Sequence, residues 1–405
     1  MMRHTIMQAA ALLLAVSPHA RSQQVDTIPK CVLGDAPPGV DAKCPDARAA
    51  ATLKYGHTFG LFFEEDNLQL QFHNTHTDRN YTLGLGLQWS GEIEQHGLDK
   101  PLRWLNRRIG LDDLTSATAA PETGMLSGTA FSPRDISANT PVVGDRPWAF
   151  LLGWTVRRTQ PSISDAWSTE LTLGTIGSPL GQWVQRSIHY SSRHLSGSQT
   201  PYNPQGWPHQ LLDSPLGAPT ARYALTYERV LIQQSGGAAP LLLRGVNATP
   251  DLKHHFEIAG NAEGQAGYYT EADAGGTLRI GSFTTPFWQF RSNPLGVVSR
   301  KATVGGSRNE WFAFLTGTGR AVAYNALLTG YGDNRFTDYH MRNDEVQHTI
   351  GEASYGAAFT HIRPNGSAWM VTWIMDAFRT HEFNTTPEFV RAHHWGGFML
   401  TWVNP

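Results

Sequence analysis

Large apolar residues occupy every second position in many short segments of the chain. The clearest segment is NYTLGLGLQW, residues 80–89, where apolar side chains take the odd positions and Thr82, two glycines and Gln88 take the even ones. A period of two predicts a strand whose two faces meet different surroundings. A soluble protein would bury the apolar face in its core. In a transmembrane barrel the odd face, including Tyr81, would meet lipid and Thr82 would face inward.

The same alternation recurs along most of the chain. It predicts about twelve strands, each near the ~10 residues that cross a bilayer at a tilt. Besides 80–89, the segments are 56–66, 146–158, 167–177, 221–233, 238–264, 265–282, 310–330, 346–363, 367–383 and 393–403. The predicted fold is therefore all-β, an antiparallel transmembrane β-barrel over residues 55–405. Residues 92–144 and 283–309 are polar and rich in turn-forming residues, and we expect both to be external loops.

Residues 178–220 interrupt the strand pattern with a different periodicity. The stretch SPLGQWVQRSIHYSSRHL begins with Ser-Pro, which favours the start of a helix. Gln185 and His189 are four residues apart, so one helical turn would place them side by side.

The N-terminus reads as an export signal. Residues 1–22 combine a short polar start, the apolar run IMQAAALLLAV and small residues suited to cleavage. The alternative, a membrane-anchor helix, would need a run of ~20 apolar residues. Residues 23–54 contain both cysteines of the chain, Cys31 and Cys44, and we expect a local disulfide between them because an exported chain meets an oxidising compartment.

Composition narrows the possible partners. Charged residues make up 16% of the chain and the formal net charge is −2, so the basic field that nucleic-acid binding needs is missing. We therefore expect no nucleic-acid partner. No phosphate-binding glycine loop and no zinc or serine-hydrolase motif occurs. A secreted β-sandwich that binds carbohydrate is one alternative to a barrel.

Three groups of residues could carry chemistry. Glu64 to Asn67 place carboxylates beside an amide, which suits a hard cation such as Ca²⁺, although a solvated strand end is the more ordinary interpretation. Thr82 could donate a hydrogen bond to an oxyanion, or be an ordinary lumenal threonine. His189 beside Gln185 could activate water, but the chain has 17 histidines and most must be structural or solvated.

Taken together, four ordered motifs resemble the lipid A 3′-O-deacylase (LpxR-type) family of the outer membrane. The resemblance covers about residues 57–403. The motifs are EED with DRNYTLGL (64–66 and 78–85), TIGSPLGQWVQRSIH with GWPHQL (175–189 and 206–211), AVAYNALLTG (321–330) and RTHEF (379–383).

The resemblance implies a twelve-stranded barrel in the Gram-negative outer membrane, with a short helix against its wall and the active site between them. It implies Ca²⁺-dependent hydrolysis of the ester that holds the 3′-O-linked acyloxyacyl group on lipid A, by a barrel that we expect to be a monomer among outer-membrane lipids. Carried over by position, Asp66 is the calcium ligand and Thr82 an oxyanion donor or substrate contact. His189 is the base that deprotonates water, and Gln185 is a helix residue of the site.

The chain departs from the family pattern after the helix, where the family has a glutamate: residues 190–213 contain no Glu, and Asp213 is their only acid. It also departs just before the calcium aspartate. Glu65 occupies the catalytic position of the family's asparagine, and an ionised carboxylate cannot donate a hydrogen bond to an oxyanion. Glu65 is then a second calcium ligand with Asn67 as the donor, or the chain hydrolyses this ester poorly, or it acts on another lipid. The alternative from another functional class is a non-catalytic, porin-like barrel that keeps the fold.

Overall fold

The computed structural model describes residues 57–68, 80–90, 99–111, 122–161, 165–196, 204–235, 241–242, 253–290, 308–332 and 337–404. All of them belong to one compact unit, Tyr55–Pro405. The predicted signal peptide (1–22) and the segment with Cys31 and Cys44 (23–54) lie outside the described residues, so both stay predictions.

Strands dominate the described part of the chain, and twelve of them form a single ring. They are β1 (His57–Glu65), β2 (Tyr81–Ser90), β3 (Thr123–Phe131), β4 (Ala149–Pro161), β5 (Asp165–Ile176), β6 (Ala218–Ser235), β7 (His254–Gly267), β8 (Tyr269–Phe283), β9 (Arg308–Asn325), β10 (Thr349–Ile362), β11 (Ala368–Arg379) and β12 (His393–Asn404). A two-residue strand, Leu241–Leu242, pairs only with the end of β6.

Each strand pairs antiparallel with its neighbours in the chain, and β12 pairs with β1 to close the ring. The closing register runs from His57 opposite Asn404 to Glu65 opposite Gly396. This confirms the predicted twelve-stranded antiparallel barrel and excludes the two-sheet sandwich. We call the end that holds His57 and Asn404 the lower end, and the end that holds Glu65 and His393 the upper end.

Three α-helices lie in those parts of the connections that the structure describes. Helix α1 (Lys100–Arg108) joins β2 to β3 at the lower end, and α2 (Leu180–Ser196) joins β5 to β6 at the upper end. The short α3 (Ala326–Thr329) follows β9 at the upper end. Of the helices in the described ranges, none has the length and apolar character to cross a membrane. The helix expected after Ser178-Pro179 is confirmed.

The expectation that residues 92–144 form one external loop is wrong. This segment contains both α1 and β3. Strand β3 has the sequence TGMLSGTAF, whose small residues hide the alternation that identified the other strands. Of the second expected loop, 283–309, most lies outside the described residues.

The polarity of the barrel is inverted relative to a soluble protein. Ion pairs between neighbouring strands line the lumen, among them Arg320–Glu271 (2.6 Å) and Arg379–Glu352 (2.7 Å), around a cavity of about 350 Å³. Large apolar side chains are exposed on the outer face instead: Phe59, Leu61, Leu87, Leu126, Leu173, Ile280, Leu315 and Phe398. This arrangement is typical of a barrel that faces lipid.

Outward-facing aromatic rings collect near the lower end of the wall. Three ring pairs join neighbouring strands there, with centroids 4.7 to 6.1 Å apart: Phe59–Trp402, Trp167–Tyr227 and Phe359–Trp369. Trp311 stands on the same level, near the start of β9. Aromatic girdles mark the level of the lipid headgroups, so this ring, the lower girdle, marks one membrane boundary.

The outer face can be tested by a charge at mid-strand. Leu315 lies near the middle of β9 and is 51% exposed. Leu315→Arg should destabilise the barrel in lipid vesicles by about 2–4 kcal/mol, because a guanidinium would enter the bilayer midplane. Reversible denaturant unfolding measures the change. Leu216→Arg, in an exposed position of the α2–β6 connection, is the matched control, and equal stability of the two variants would contradict the orientation.

Candidate active site

The site is built around a bulge at the start of β2. Tyr81 pairs with Phe131 and Leu83 with Ala130, so Thr82 is an extra residue without a cross-strand partner. The bulge shifts the alternation of faces by one residue, so Tyr81 points into the lumen. Its hydroxyl donates a hydrogen bond to Glu64 Oε2 (2.8 Å). The expectation that Tyr81 faces lipid is therefore wrong.

Thr82 is buried, and its Oγ1 lies 2.6 Å from the Oγ of Ser132, directly after β3. It does not line the lumenal cavity, which Tyr81 does. The next residue, Leu83, is only 2% exposed although it belongs to the outer face, whereas Leu87 is 40% exposed. The predicted apolar face of β2 thus meets protein near Thr82 and is exposed to the surroundings further along.

Helix α2 is part of the protein that packs around Leu83. Val184 of α2 packs against a buried cluster that combines the wall residues Leu83, Ala130 and Phe150 with Ile136, Trp148 and Trp207 of the connections. Gly181 allows the close approach, because a Cβ there would lie 2.7 Å from the Cβ of Phe150 and 2.8 Å from the ring of Trp207. We call this contact the α2–wall interface.

Gln185 is the polar centre of the α2–wall interface. Its side chain is 1% exposed, and its Oε1 accepts a hydrogen bond from Trp207 Nε1 (2.6 Å). Its Nε2 is buried and has no hydrogen-bond partner among the described residues, and the same holds for Nε1 of Trp148. Buried donors are nearly always satisfied in proteins, so two unsatisfied N–H groups in one interface indicate a place for a ligand oxygen.

His189 follows Gln185 by one turn of α2, so its backbone position agrees with the expected helical spacing. Its side chain lies outside the described residues, as do Asp78 and Arg79. The role of His189 as a base therefore stays a prediction.

Glu65 and Asp66 lie at the upper end of β1, close to the bulge. Glu65 stands directly opposite Leu83, the neighbour of Thr82, and is half-buried on the outer face. Asp66 begins a short 3₁₀ turn, Asp66–Leu68, and is buried. The register thus brings Glu65, Asp66 and Thr82 to the same stretch of wall.

The side chains in this stretch of wall supply some of the ligands that a hard cation needs. Glu65 and Asp66 offer carboxylate oxygens of the kind that Ca²⁺ prefers. Within the described ranges no three side chains of His, Cys, Asp or Glu converge as metal ligands. Further ligands would have to be carbonyl, hydroxyl or water oxygens, which calcium also accepts.

A buried charge network fixes the backbone just before Thr82. Asn80 has φ of 73°, a left-handed conformation that asparagine tolerates better than most residues. Its Nδ2 lies 3.0 Å from His393 Nε2, at the start of β12. His393 in turn lies 3.5 Å from Glu382 Oε2, which also pairs with Arg146.

The network joins connections that are far apart in the chain. Glu382 belongs to the β11–β12 connection and Arg146 to the β3–β4 connection, and both are 1% exposed. Arg391 and Asp145 (2.8 Å) link the same two connections a second time. We call these residues the upper network: Asn80, Asp145, Arg146, Glu382, Arg391 and His393. Sequence reasoning did not assign them a role, although the RTHEF motif that contains Glu382 was a visible signal.

Electrostatics keep Glu382 charged. Burial by itself would raise the pKa of this carboxyl, but its interactions with Arg146, His393 and Arg379 outweigh burial and hold its pKa below the ordinary value. The charged form is thus part of the folded state.

The comparison with known proteins decides the family. The family model of the outer membrane protein LpxR matches residues 40–403. The chain belongs to the LpxR family. As a member of this family it is an outer-membrane lipid A deacylase, and its substrate is lipid A, the membrane anchor of lipopolysaccharide. No curated protein sequence matches the chain.

One solved structure supports the fold. LpxR from Salmonella typhimurium superposes with a TM-score of 0.56 at 16% identity, covering 85% of this chain and 99% of that one. The Pseudomonas putida toluene transporter TodX has a TM-score of 0.25 at 10% identity, covering 86% and 89%. CdiB from Acinetobacter baumannii has a TM-score of 0.26 at 8% identity, covering 86% and 60%. The last two similarities are too low to carry an argument.

Of the site residues that the resemblance implied, the structure describes the surroundings of Gln185, Glu65, Asp66 and Thr82. Gln185 bonds to Trp207, which belongs to the same buried cluster as Leu83, and the register places Glu65 opposite Leu83, next to Asp66 and Thr82. Asp213, the only acid in the segment after α2 where the family has a glutamate, instead accepts a hydrogen bond from Gln210 (2.7 Å).

The upper network predicts a pH-dependent stability. Glu382→Gln should destabilise the barrel by about 3–5 kcal/mol at pH 7, because Arg146 would keep a buried charge without its partner. The wild-type carboxyl has a lowered pKa, so its contribution is complete above the ordinary value of 4.5 and disappears as the pH falls through the folded-state value. Denaturant unfolding in detergent between pH 7 and 3 should show a constant difference between the two proteins above the ordinary value of 4.5 and a difference that shrinks below it.

Glu388→Gln is the matched control, because Glu388 is exposed in the same connection. It should leave stability unchanged within about 0.5 kcal/mol at every pH. A Glu382→Gln variant as stable as this control at pH 7 would show that the ion pair does not hold the upper end together.

Proposed function

We propose that the barrel hydrolyses the ester that holds the 3′-O-linked acyloxyacyl group on lipid A, at the α2–wall interface and with the help of Ca²⁺. The observation that carries the proposal is the buried, unsatisfied Nε2 of Gln185 beside the outer wall. A lumenal ligand could not reach it, whereas a lipid in the membrane approaches the wall from outside.

The residues of this interface suit ester hydrolysis. His189, one turn after Gln185, would take a proton from a water molecule whose oxygen then attacks the ester carbonyl. The oxyanion formed would accept hydrogen bonds from Gln185 Nε2 and from the hydroxyl of Thr82. Collapse of this intermediate breaks the bond to the 3′ oxygen, which takes the proton back from His189. The products are a fatty acid and a free 3′ hydroxyl.

Ser132 can set the direction of the Thr82 hydroxyl. The two oxygens are 2.6 Å apart and either can donate. When Ser132 donates to Thr82, the Thr82 proton is free for the oxyanion. Loss of one such donor typically costs a factor of about 10²–10³ in rate.

Glu65 and Asp66 would hold the calcium ion. When bound, the ion supplies positive charge close to the ester carbonyl. Glu65 cannot donate a hydrogen bond to the oxyanion, so its proposed role is that of a ligand, and its charge is then neutralised by the ion rather than set against the oxyanion.

The lipid A of cells that express the protein tests the reaction. Mass spectrometry should show loss of the 3′ acyloxyacyl group with the wild type and no loss with His189→Ala. Thr82→Val should lower the rate by about 10²–10³, since the isosteric side chain lacks the hydroxyl, while Thr82→Ser should retain activity. His361→Ala, at the lower end of the barrel, is the histidine control.

Two outcomes would redirect the proposal. Unchanged lipid A from a wild-type barrel that is folded in the outer membrane would favour the non-catalytic, porin-like alternative or another ester. Full activity of His189→Ala would remove this histidine from the mechanism. The same preparations, analysed by cross-linking, test the expected monomer.

Calcium binding can be measured without activity. Terbium luminescence or calorimetry with the purified barrel should show one site, and Asp66→Asn should weaken it at least tenfold because a carboxylate ligand is lost. Asp213→Asn is the control, since Asp213 lies in the connection after α2 and accepts a hydrogen bond from Gln210. Equal affinity in the two variants would exclude Asp66 as a ligand.

A further inference from the structure

Helix α1 is attached to the outside of the barrel. Asn106 donates from Nδ2 to Thr169 Oγ1 (2.9 Å) and accepts from the hydroxyl of Tyr223 (3.0 Å). Strands β5 and β6 pair without a bulge here, so Thr169 and Tyr223 point away from the lumen, into which Thr172 and Arg222 point. The helix therefore covers the outer wall of these strands.

The wall beneath α1 is polar. Glu122 accepts hydrogen bonds from Arg103 of the helix (3.0 Å) and from Arg158 of β4 (2.6 Å). Arg158 also faces outward, because it follows Arg157, which bonds to the inward-facing Ser168. Lipid could not satisfy these groups, so α1 shields a charged part of the wall from the membrane.

The opposite face of α1 is basic. Lys100, Trp104, Arg107 and Arg108 are exposed, and Trp104 is 55% exposed. The guanidinium of Arg108 lies 5.5 Å from the centre of the Trp104 ring. Asp99, just before the helix, is buried and paired with Arg103, so it does not offset this charge. We call these four exposed residues the basic face.

The basic face stands at a membrane boundary. Thr169, which holds Asn106, is two residues from Trp167 of the lower girdle. Tryptophan and basic side chains at the girdle level are typical of contacts with lipid headgroups.

We propose that the basic face binds the anionic headgroup of a membrane phospholipid at the lower end of the barrel. Charge complementarity selects this occupant, and a second copy of α1 would be repelled by like charge. The choice of leaflet depends on the proposed function, which brings lipid A to the upper end and leaves phospholipid at the lower one. The basic face is separate from the α2–wall interface, so the chain has a second lipid site with a different headgroup preference.

Lipid titration with the full-length barrel tests the proposal. Native mass spectrometry in detergent micelles would measure retention of phosphatidylglycerol and, separately, of phosphatidylcholine. The wild type should prefer phosphatidylglycerol, and Arg107→Gln with Arg108→Gln should weaken its binding by about 25-fold, about fivefold for each arginine. Phosphatidylcholine binding should not change.

Arg134→Gln with Arg342→Gln is the matched double control, because both arginines are exposed in upper connections. Heat-modified migration in gels would show that all variants are folded. Equal losses of phosphatidylglycerol in the two double variants, or no loss in either, would overturn the proposal. The basic-face variant should keep wild-type lipid A hydrolysis and His189→Ala should keep phosphatidylglycerol binding, so failure of one proposal is distinguishable from failure of the other.

Discussion

Backbone hydrogen bonding within a bilayer is the constraint on which this structure depends. Hydrocarbon offers no partner for an N–H or C=O group, so a membrane-spanning sheet must close on itself. The pairing of β1 with β12 completes that closure. The helices α1 and α2 must then lie outside the ring or at its ends, where they do not interrupt the hydrogen bonds between strands.

The two long helices solve this problem in different ways. Helix α2 approaches an apolar wall and needs Gly181 to come close enough to Phe150 and Trp207. Helix α1 covers a polar wall and uses Asn106 to satisfy groups on two strands at once. The contact under α2 leaves the buried Gln185 Nε2 without a hydrogen-bond partner among the described residues, whereas the polar groups under α1 are joined by hydrogen bonds and ion pairs.

Sequence periodicity predicted most of the wall because each strand repeats its pattern locally. It failed at β3, where small residues blur the two faces, and at Tyr81, where one extra residue in β2 reverses the face. Local spacing also predicted α2, with Gln185 and His189 one turn apart. The upper network could not be predicted from local sequence patterns, because Arg146 and Glu382 are 236 residues apart and only the closed ring brings them together. Neither the calcium ligands nor the His189 side chain is tested by the described residues.

Separation along the chain also has a consequence for the order of assembly. Asn80 sets the backbone ahead of Thr82, yet its partner His393 is 313 residues later, at the first position of the last strand. Until that strand is in place, the bulge lacks one of the contacts that define it. A chain whose last strand has not yet paired therefore lacks the Asn80–His393 contact, and the backbone ahead of Thr82 gains this support only when the ring closes.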